Sequence, residues 1–123
     1  MKLSKQRQNE CGIPPLSEAE FTRQVLALAK VHGWRTAHFR PAWARSGKMI
    51  TAVQGDGKGF PDLVLVKGGR LIFAELKAAE GRLKPEQVEW LNDLSKVPEV
   101  GVYLWRPADW PGIARVLSGQ DDA

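Results

Sequence analysis

A chain of 123 residues is long enough for one domain with a hydrophobic core, and its single cysteine excludes an internally disulfide-bonded fold. No uninterrupted apolar run reaches the roughly 18 residues of a membrane helix, and the polar start lacks a secretory core, so we expect a cytosolic protein. The net charge of +4 and the pI near 9.5 favour a polyanionic partner, although many basic domains bind none. Five tryptophans can stack on bases, but packing is the commoner role for most of them.

The chain opens with a predicted flexible basic arm over residues 1–16, because Pro14-Pro15 prevents a helix before residue 16. Ser17-Glu18-Ala19-Glu20 is a capping-box pattern, with Ser17 as N-cap and Glu20 at N3. It predicts a helix that ends near His32-Gly33 and buries a stripe beginning at Phe21. Glu20 is explained by the cap, yet it is also a candidate metal ligand, and the pattern leaves both interpretations open.

The next segment alternates like a strand from Trp34 to Arg40, with His38 expected to be packed or hydrogen-bonded. Residues 41–59 are rich in glycine and basic side chains and are predicted to be a loop, with a short edge strand over 49–53. This loop runs directly into Asp62, so it is either a phosphate-contacting element or a mobile insertion.

Two apolar runs flank Gly68-Gly69, a dipeptide typical of a two-residue hairpin turn. If Lys67 faces Arg70, counting outward places Asp62 opposite Glu75, with Cβ atoms roughly 5 Å apart. Lys77 has the parity of Glu75 and projects from the same face about 7 Å further along the strand. The strands are apolar on both faces, as in strands buried on both sides. Like charges directly opposite each other are unfavourable, and a divalent cation is the simplest way to offset them.

A second helix is predicted from Pro85, with a buried stripe at Val88, Leu91 and Leu94. Gln87 lies at the edge of that stripe and is either an active-site hydrogen-bonding group or a surface residue. A strand over 100–105 and a final helix with Asp109 as its cap follow, and residues 120–123 should fray. The order of elements predicts one domain over 17–119, an α/β fold with a mixed central β-sheet flanked by helices and a right-handed parallel crossover over 70–105.

The acidic pair and the lysine favour metal-assisted phosphodiester hydrolysis. Two hard carboxylates on neighbouring strands suit Mg²⁺ or Mn²⁺, which can polarise a phosphoryl oxygen and lower the pKa of bound water. A lysine beside them can position the water and stabilise the charge of the transition state. The chain has no zinc-type cluster, no Gly-x-x-x-x-Gly-Lys loop and no Gly-x-Ser-x-Gly elbow.

The sequence resembles the VRR-NUC (virus-type replication-repair nuclease) branch of the PD-(D/E)XK nucleases over residues 17–117. The resemblance rests on five motifs that keep their order and spacing: Gly59-Phe60-Pro61-Asp62-Leu63, Glu75-Leu76-Lys77, Gly81-Arg82-Leu83, Pro85-Glu86-Gln87 and Trp90-Leu91. It implies a restriction-endonuclease-like core with a divalent metal held by Asp62, Glu75, the backbone carbonyl of Leu76 and, from the first helix, Glu20. It further implies that Lys77 is the catalytic lysine and that Gln87 is a polar active-site residue.

Stand-alone members of this family, often phage-encoded, resemble homodimeric Holliday-junction resolvases. The resemblance therefore implies a Mg²⁺- or Mn²⁺-dependent endonuclease that acts on branched DNA as a homodimer, in the cytoplasm of a bacterial or phage-infected cell. Two alternatives stay open: a nuclease for flaps or nicked duplex, and a non-catalytic DNA-binding module that keeps the nuclease fold.

Overall fold

The structure is a computed structural model that describes residues 15–50 and 52–120. Most of the predicted flexible arm, including Cys11, and most of the predicted frayed C-terminus lie outside these residues. The helices are α1 (Glu18–Val31), α2 (Pro85–Ser95) and α3 (Trp110–Ser118). The strands are β1 (Arg35–His38), β2 (Ala42–Trp43), β3 (Met49–Ile50), β4 (Leu63–Lys67), β5 (Arg70–Leu76) and β6 (Val100–Trp105). A 3₁₀ turn over Pro107–Asp109 precedes α3.

The central sheet has the strand order β1-β4-β5-β6, with β1, β4 and β5 antiparallel and β6 parallel to β5. The α/β fold with a mixed sheet flanked by helices is confirmed, and so is the parallel pairing across α2. The Gly68-Gly69 turn sets the register, with Lys67 paired to Arg70. Both glycines have positive φ, 53° and 82°, which is the conformation that a two-residue hairpin of this type requires.

The hydrophobic core lies on one face of the sheet, between the strands and helices α1 and α3. Alternate residues of β4 and β5 point to this face, because side chains alternate along a strand. They are fully or almost fully buried, and they pack with the apolar stripe of α1 that begins at Phe21 and with Ile113, Val116 and Leu117 of α3. The sheet residues in this core are Leu63, Leu65, Ile72, Ala74 and Leu76.

The opposite face is less buried than the sequence suggests. Helix α2 packs mainly against β6, and none of its residues is buried. Val88 is 40% exposed and Val66 of β4 is 42% exposed, so the predicted burial of both strand faces and of the Val88 stripe is wrong at these positions. The reason is that α2 covers only part of this face, and the ring of Phe60 covers another part by packing edge-on against Phe73 and Trp90.

The predicted loop over 41–59 contains a small hairpin. Ala42–Trp43 pairs antiparallel with Met49–Ile50, and this pair forms its own sheet. The expected edge strand over 49–53 is therefore shorter, ending at Ile50, and it does not extend the central sheet. Two-residue strands leave too little alternation for a sequence pattern to reveal β2.

In the part of the chain that the structure describes, no helix is long and apolar enough to cross a membrane.

Candidate active site

Asp62 and Glu75 meet where β4 begins and β5 ends. Extending the observed register by one step from Leu63 opposite Ala74 places Asp62 opposite Glu75, as predicted. The Leu76 N–H donates to Asp62 Oδ1 at 3.1 Å, and the Phe39 N–H donates to the Asp62 carbonyl at 2.8 Å. Main-chain contacts from two neighbouring strands thus hold the Asp62 residue in place at the end of the sheet.

The two carboxyls are hard to ionise together. Burial, opposed by the hydrogen bond from Leu76 and reinforced by the charge of Glu18, raises the pKa of Asp62 to about 7. Burial and then the charge of Asp62 raise the pKa of Glu75 to about 8, against the lowering effect of Lys77. Glu75 is only 3% exposed. A divalent cation between the two groups would offset both the desolvation and the mutual repulsion.

Lys77 follows these acids on the same face and places a positive charge beside Glu75. Its Nζ lies 3.9 Å from Glu75 Oε2, and its side chain is 12% exposed. The Lys77 N–H donates to the Trp105 carbonyl at 3.0 Å, which continues the pairing of β5 with β6. A Cβ added at Gly81 would lie 3.3 Å from Lys77 Cδ, so the loop after β5 passes close over the lysine stem.

Gln87 reaches the same carboxylate from the first turn of α2. Its Nε2 donates to Glu75 Oε2 at 3.0 Å, and its Oε1 accepts the Lys84 N–H at 2.8 Å. The Lys84 N–H needs an acceptor, so this contact fixes which end of the amide faces Glu75. The structure therefore brings Gln87 into the site rather than leaving it on the outer surface.

Helix α1 presents two acids, and they occupy different environments. Glu20 completes the capping box: its Oε1 accepts the Ser17 N–H at 2.9 Å, and the Glu20 N–H donates to Ser17 Oγ at 3.1 Å. These hydrogen bonds lower the pKa of Glu20, which is exposed to solvent. The cap interpretation is confirmed, and a metal-binding role for Glu20 stays a prediction.

Glu18 is the acid of α1 whose charge acts on Asp62 and Glu75, and the sequence reasoning missed it. Helical periodicity carried the signal, because Glu18 lies one turn before Thr22 on the stripe that Val25 and Ala29 continue into the core. Glu18 also acts on half-buried His38, whose pKa is lowered mainly by burial. The N-terminus of α1 thus places the charge of Glu18 near the start of β4.

The donor set fits a hard divalent cation. Across residues 15–50 and 52–120, no three His, Cys, Asp or Glu side chains converge into a ready-made metal cluster. Mg²⁺ does not need one, since it commonly keeps several waters and is held by one or two carboxylates together with substrate phosphate. Asp62 and Glu75 supply two such carboxylates, and the carbonyl of Leu76 as a further ligand stays a prediction.

Comparison with known families agrees with this geometry. The model of the VRR-NUC domain matches residues 23–104, about two thirds of the chain. The match includes Asp62, Glu75, Lys77 and Gln87 and begins after Glu18 and Glu20. Searches of curated proteins and of solved structures returned no match. A domain match of this extent, over a hairpin that carries its acids and lysine on one face, shows that the chain belongs to the VRR-NUC domain family of nucleases.

Proposed function

We propose that this protein is a Mg²⁺- or Mn²⁺-dependent endonuclease that hydrolyses phosphodiester bonds in branched DNA. One observation carries the catalytic part: Asp62, Glu75 and Lys77 converge at one end of the β4–β5 hairpin, with Gln87 bonded to Glu75. Two carboxylates at the end of a sheet can hold a divalent cation, and a lysine beside them can stabilise the charge that develops on a phosphoryl group.

Each residue has a role that follows from its position. Asp62 and Glu75 would hold the ion, which when bound polarises a phosphoryl oxygen and lowers the pKa of its water. The Lys77 ammonium, 3.9 Å from Glu75, supplies positive charge for the extra negative charge that develops on the phosphoryl oxygens. Gln87 restrains Glu75 so that one carboxylate oxygen keeps a fixed direction.

The direct test is cleavage of an end-labelled four-way junction in Mg²⁺ by the wild type, Asp62→Asn and Lys77→Ala. We expect each variant to lose at least about 100-fold in rate, the scale on which one electrostatic group contributes to catalysis. Asp93→Asn and Lys30→Ala are matched controls, because both residues are exposed and neither belongs to the proposed active site. Cleavage that is unchanged in both active-site variants overturns the assignment.

Metal binding separates the enzyme from a non-catalytic DNA-binding module with the same fold. Calorimetric titration with Mn²⁺ should show a site that is lost in Asp62→Asn and in Glu75→Gln. Ordinary DNA binding without any such site would favour the binding module.

The proposed substrate is a Holliday junction, resolved by a homodimer, as the resemblance to stand-alone family members implies. Symmetric paired cuts on a four-way junction require two active sites, and this chain supplies one. Sedimentation of the protein alone and on a junction, with mapping of both cuts, tests the proposal. A monomer that cuts one strand of a flap or nicked duplex favours that narrower activity instead.

A further inference from the structure

The β2–β3 arm, defined as residues 40–50 and 52–58, has no role in the chemistry proposed above. Its start is nevertheless tied to the active site, and its end is tied to helix α2, which carries Gln87. At its start, Phe39 donates its N–H to the Asp62 carbonyl and packs edge-on against Phe60, with ring centroids 5.9 Å apart. At its end, the Asp56 carbonyl accepts the Trp90 indole N–H at 3.0 Å, and the Phe60 ring lies 5.0 Å from that of Trp90.

The outer part of the arm is a closed hairpin that presents apolar side chains to solvent. Ala44 donates to the Lys48 carbonyl at 2.7 Å, and Gly47 donates to the Ala44 carbonyl at 2.9 Å, which close the turn. Trp43 is 73% exposed beside half-exposed Met49 and Ile50. Trp43 and Ile50 also line an open groove of about 480 Å³. A tryptophan this exposed, paired with an exposed methionine across the hairpin, indicates a binding surface, because an indole is among the side chains that gain most from being covered.

The charge of the arm identifies the kind of partner. It contains Arg40, Arg45, Lys48 and Lys58 but only one acid, Asp56, so it carries a net +3 of the chain's +4. All four basic side chains are exposed. Two copies of such a surface would repel each other if the same patches met, whereas a polyanion would be attracted.

The arm is also within reach of the cleavage site. Trp43 follows Phe39 by four residues, so its Cα lies at most about 14 Å from the Cα of Phe39. That length corresponds to about four nucleotide steps along a B-form strand. A strand whose phosphate lies at Asp62 can therefore present a base a few nucleotides away to the indole.

We propose that the β2–β3 arm binds DNA next to the cleavage site and that Trp43 stacks on an unpaired or unstacked base. Bases inside an intact duplex are covered on both faces, so only a strand end, a single strand or a branch point offers a free face. The exposed arginines and lysines bind the flanking phosphates and give no sequence preference. The inference rests on the proposed function and deepens it, since it names substrates with an unpaired or unstacked base near the cut.

The test measures DNA binding separately from cleavage, with full-length protein that carries Asp62→Asn in EDTA. Fluorescence anisotropy compares a forked DNA that has two unpaired arms with a fully paired duplex of the same sequence. Adding Trp43→Ala should weaken fork binding about 5- to 100-fold, the range for loss of one base–aromatic stack, and duplex binding less than about twofold. Trp43→Phe should retain the preference for the fork. Val31→Ala removes another exposed apolar side chain and should leave the affinity for both DNAs unchanged.

A second readout reports the stack itself. A fluorescent base analogue in an unpaired position near the branch should be quenched on binding, and Trp43→Ala should remove that quenching. Arg45→Ala and Lys48→Ala should weaken fork and duplex equally and each reduce the salt slope by about one.

Three outcomes would overturn the inference. Trp43→Ala could bind the fork as tightly as its parent, or its affinity for the fork and for the duplex could fall by the same factor. It could also convert a dimer into a monomer without changing the fork preference, which would make the arm a contact between copies. If wild-type protein cleaves nothing but Trp43→Ala loses the fork preference, the nuclease assignment fails and the arm inference holds.

Discussion

Gln87 donates its side-chain amide to Glu75 Oε2 at 3.0 Å, and so ties the first turn of α2 to the proposed catalytic carboxylate. The same oxygen lies 3.9 Å from Lys77 Nζ, so one carboxylate is restrained by a neutral donor and by a cation. Helix α2 therefore contacts the same carboxylate oxygen as the proposed catalytic lysine.

Gln87→Ala should lower the cleavage rate about tenfold or more and raise the Mg²⁺ concentration needed for half-maximal activity, because Glu75 loses a group that orients it. The change leaves the fold in place, since Gln87 lies at the start of a helix and is only half-buried. Asn92→Ala on the exposed side of α2 is the matched control. If Gln87→Ala keeps wild-type values for both rate and Mg²⁺ requirement, Gln87 has no positioning role.

Gly59→Ala should destabilise the protein by more than about 2 kcal/mol, the sum expected from strain at positive φ and a backbone clash. Gly59 has φ of 86°, and an added Cβ would lie 2.6 Å from the carbonyl carbon of Glu86. Gly119→Ala is a matched control, since its φ is 84° and no other atom lies within 4 Å of an added Cβ. The free energy of unfolding from urea titration checks the difference, and equal effects at the two glycines would contradict the clash.

The metal-free protein should lose stability as the pH rises from about 4 to about 8. Asp62 and Glu75 have folded-state pKa values of about 7 and about 8, above those of the unfolded chain, which are near 4. The folded state therefore binds more protons than the unfolded state in this range, and the free energy of unfolding falls with pH. The stabilising contribution is complete below the unfolded values and is lost as the pH passes the folded ones.

Melting temperatures in EDTA at pH 5.5 and 8.5 test this, with the double variant Asp62→Asn, Glu75→Gln as reference. Between the two pH values, the melting temperature of the double variant should fall less than that of the wild type. Added Mg²⁺ should raise the wild-type melting temperature at pH 8.5 by binding only the folded state, and should leave the double variant unchanged. A wild-type melting temperature that rises with pH more than the variant's would contradict the raised pKa values.

Arg106→Lys should loosen the loop that follows Lys77 and cost about 1–3 kcal/mol of stability. Arg106 Nη1 donates to the carbonyls of Ala78 at 2.8 Å and Gly81 at 2.7 Å, with a longer contact to Ala79 at 3.5 Å. A lysine side chain is one atom shorter to its terminal nitrogen than arginine is to Nη1, so its ammonium reaches these carbonyls less well.

Thermal unfolding and cleavage rate together check the role of Arg106, with Arg82→Lys in the same loop as control, because Arg82 is exposed. A loss of rate that exceeds the unfolded fraction would show that the loop also positions Lys77. A melting temperature equal to that of the wild type would show that the Arg106 hydrogen bonds do not stabilise the loop.

The hairpin and most of the candidate site could be predicted from the sequence. The turn at Gly68-Gly69 sets the register of β4 and β5 through local turn chemistry. Because a register determines which side chains face each other across two strands, Asp62 and Glu75 could be paired by counting. The capping box, Pro85 at the start of α2 and the glycine after α3 are equally local signals, and the structure has each of them.

Other features depend on contacts between elements that are distant along the chain. Whether Gln87 reaches Glu75, and whether Glu18 or Glu20 acts on the carboxyl pair, is decided by how α2 and α1 pack on the sheet. The partial burial of the sheet face under α2 follows from the same packing. The sequence by itself determined the strand register and the pairing of Asp62 with Glu75, because both depend on neighbours within one hairpin. Only the tertiary structure decided which helix residues join the site, because helix placement depends on long-range burial that no local pattern encodes.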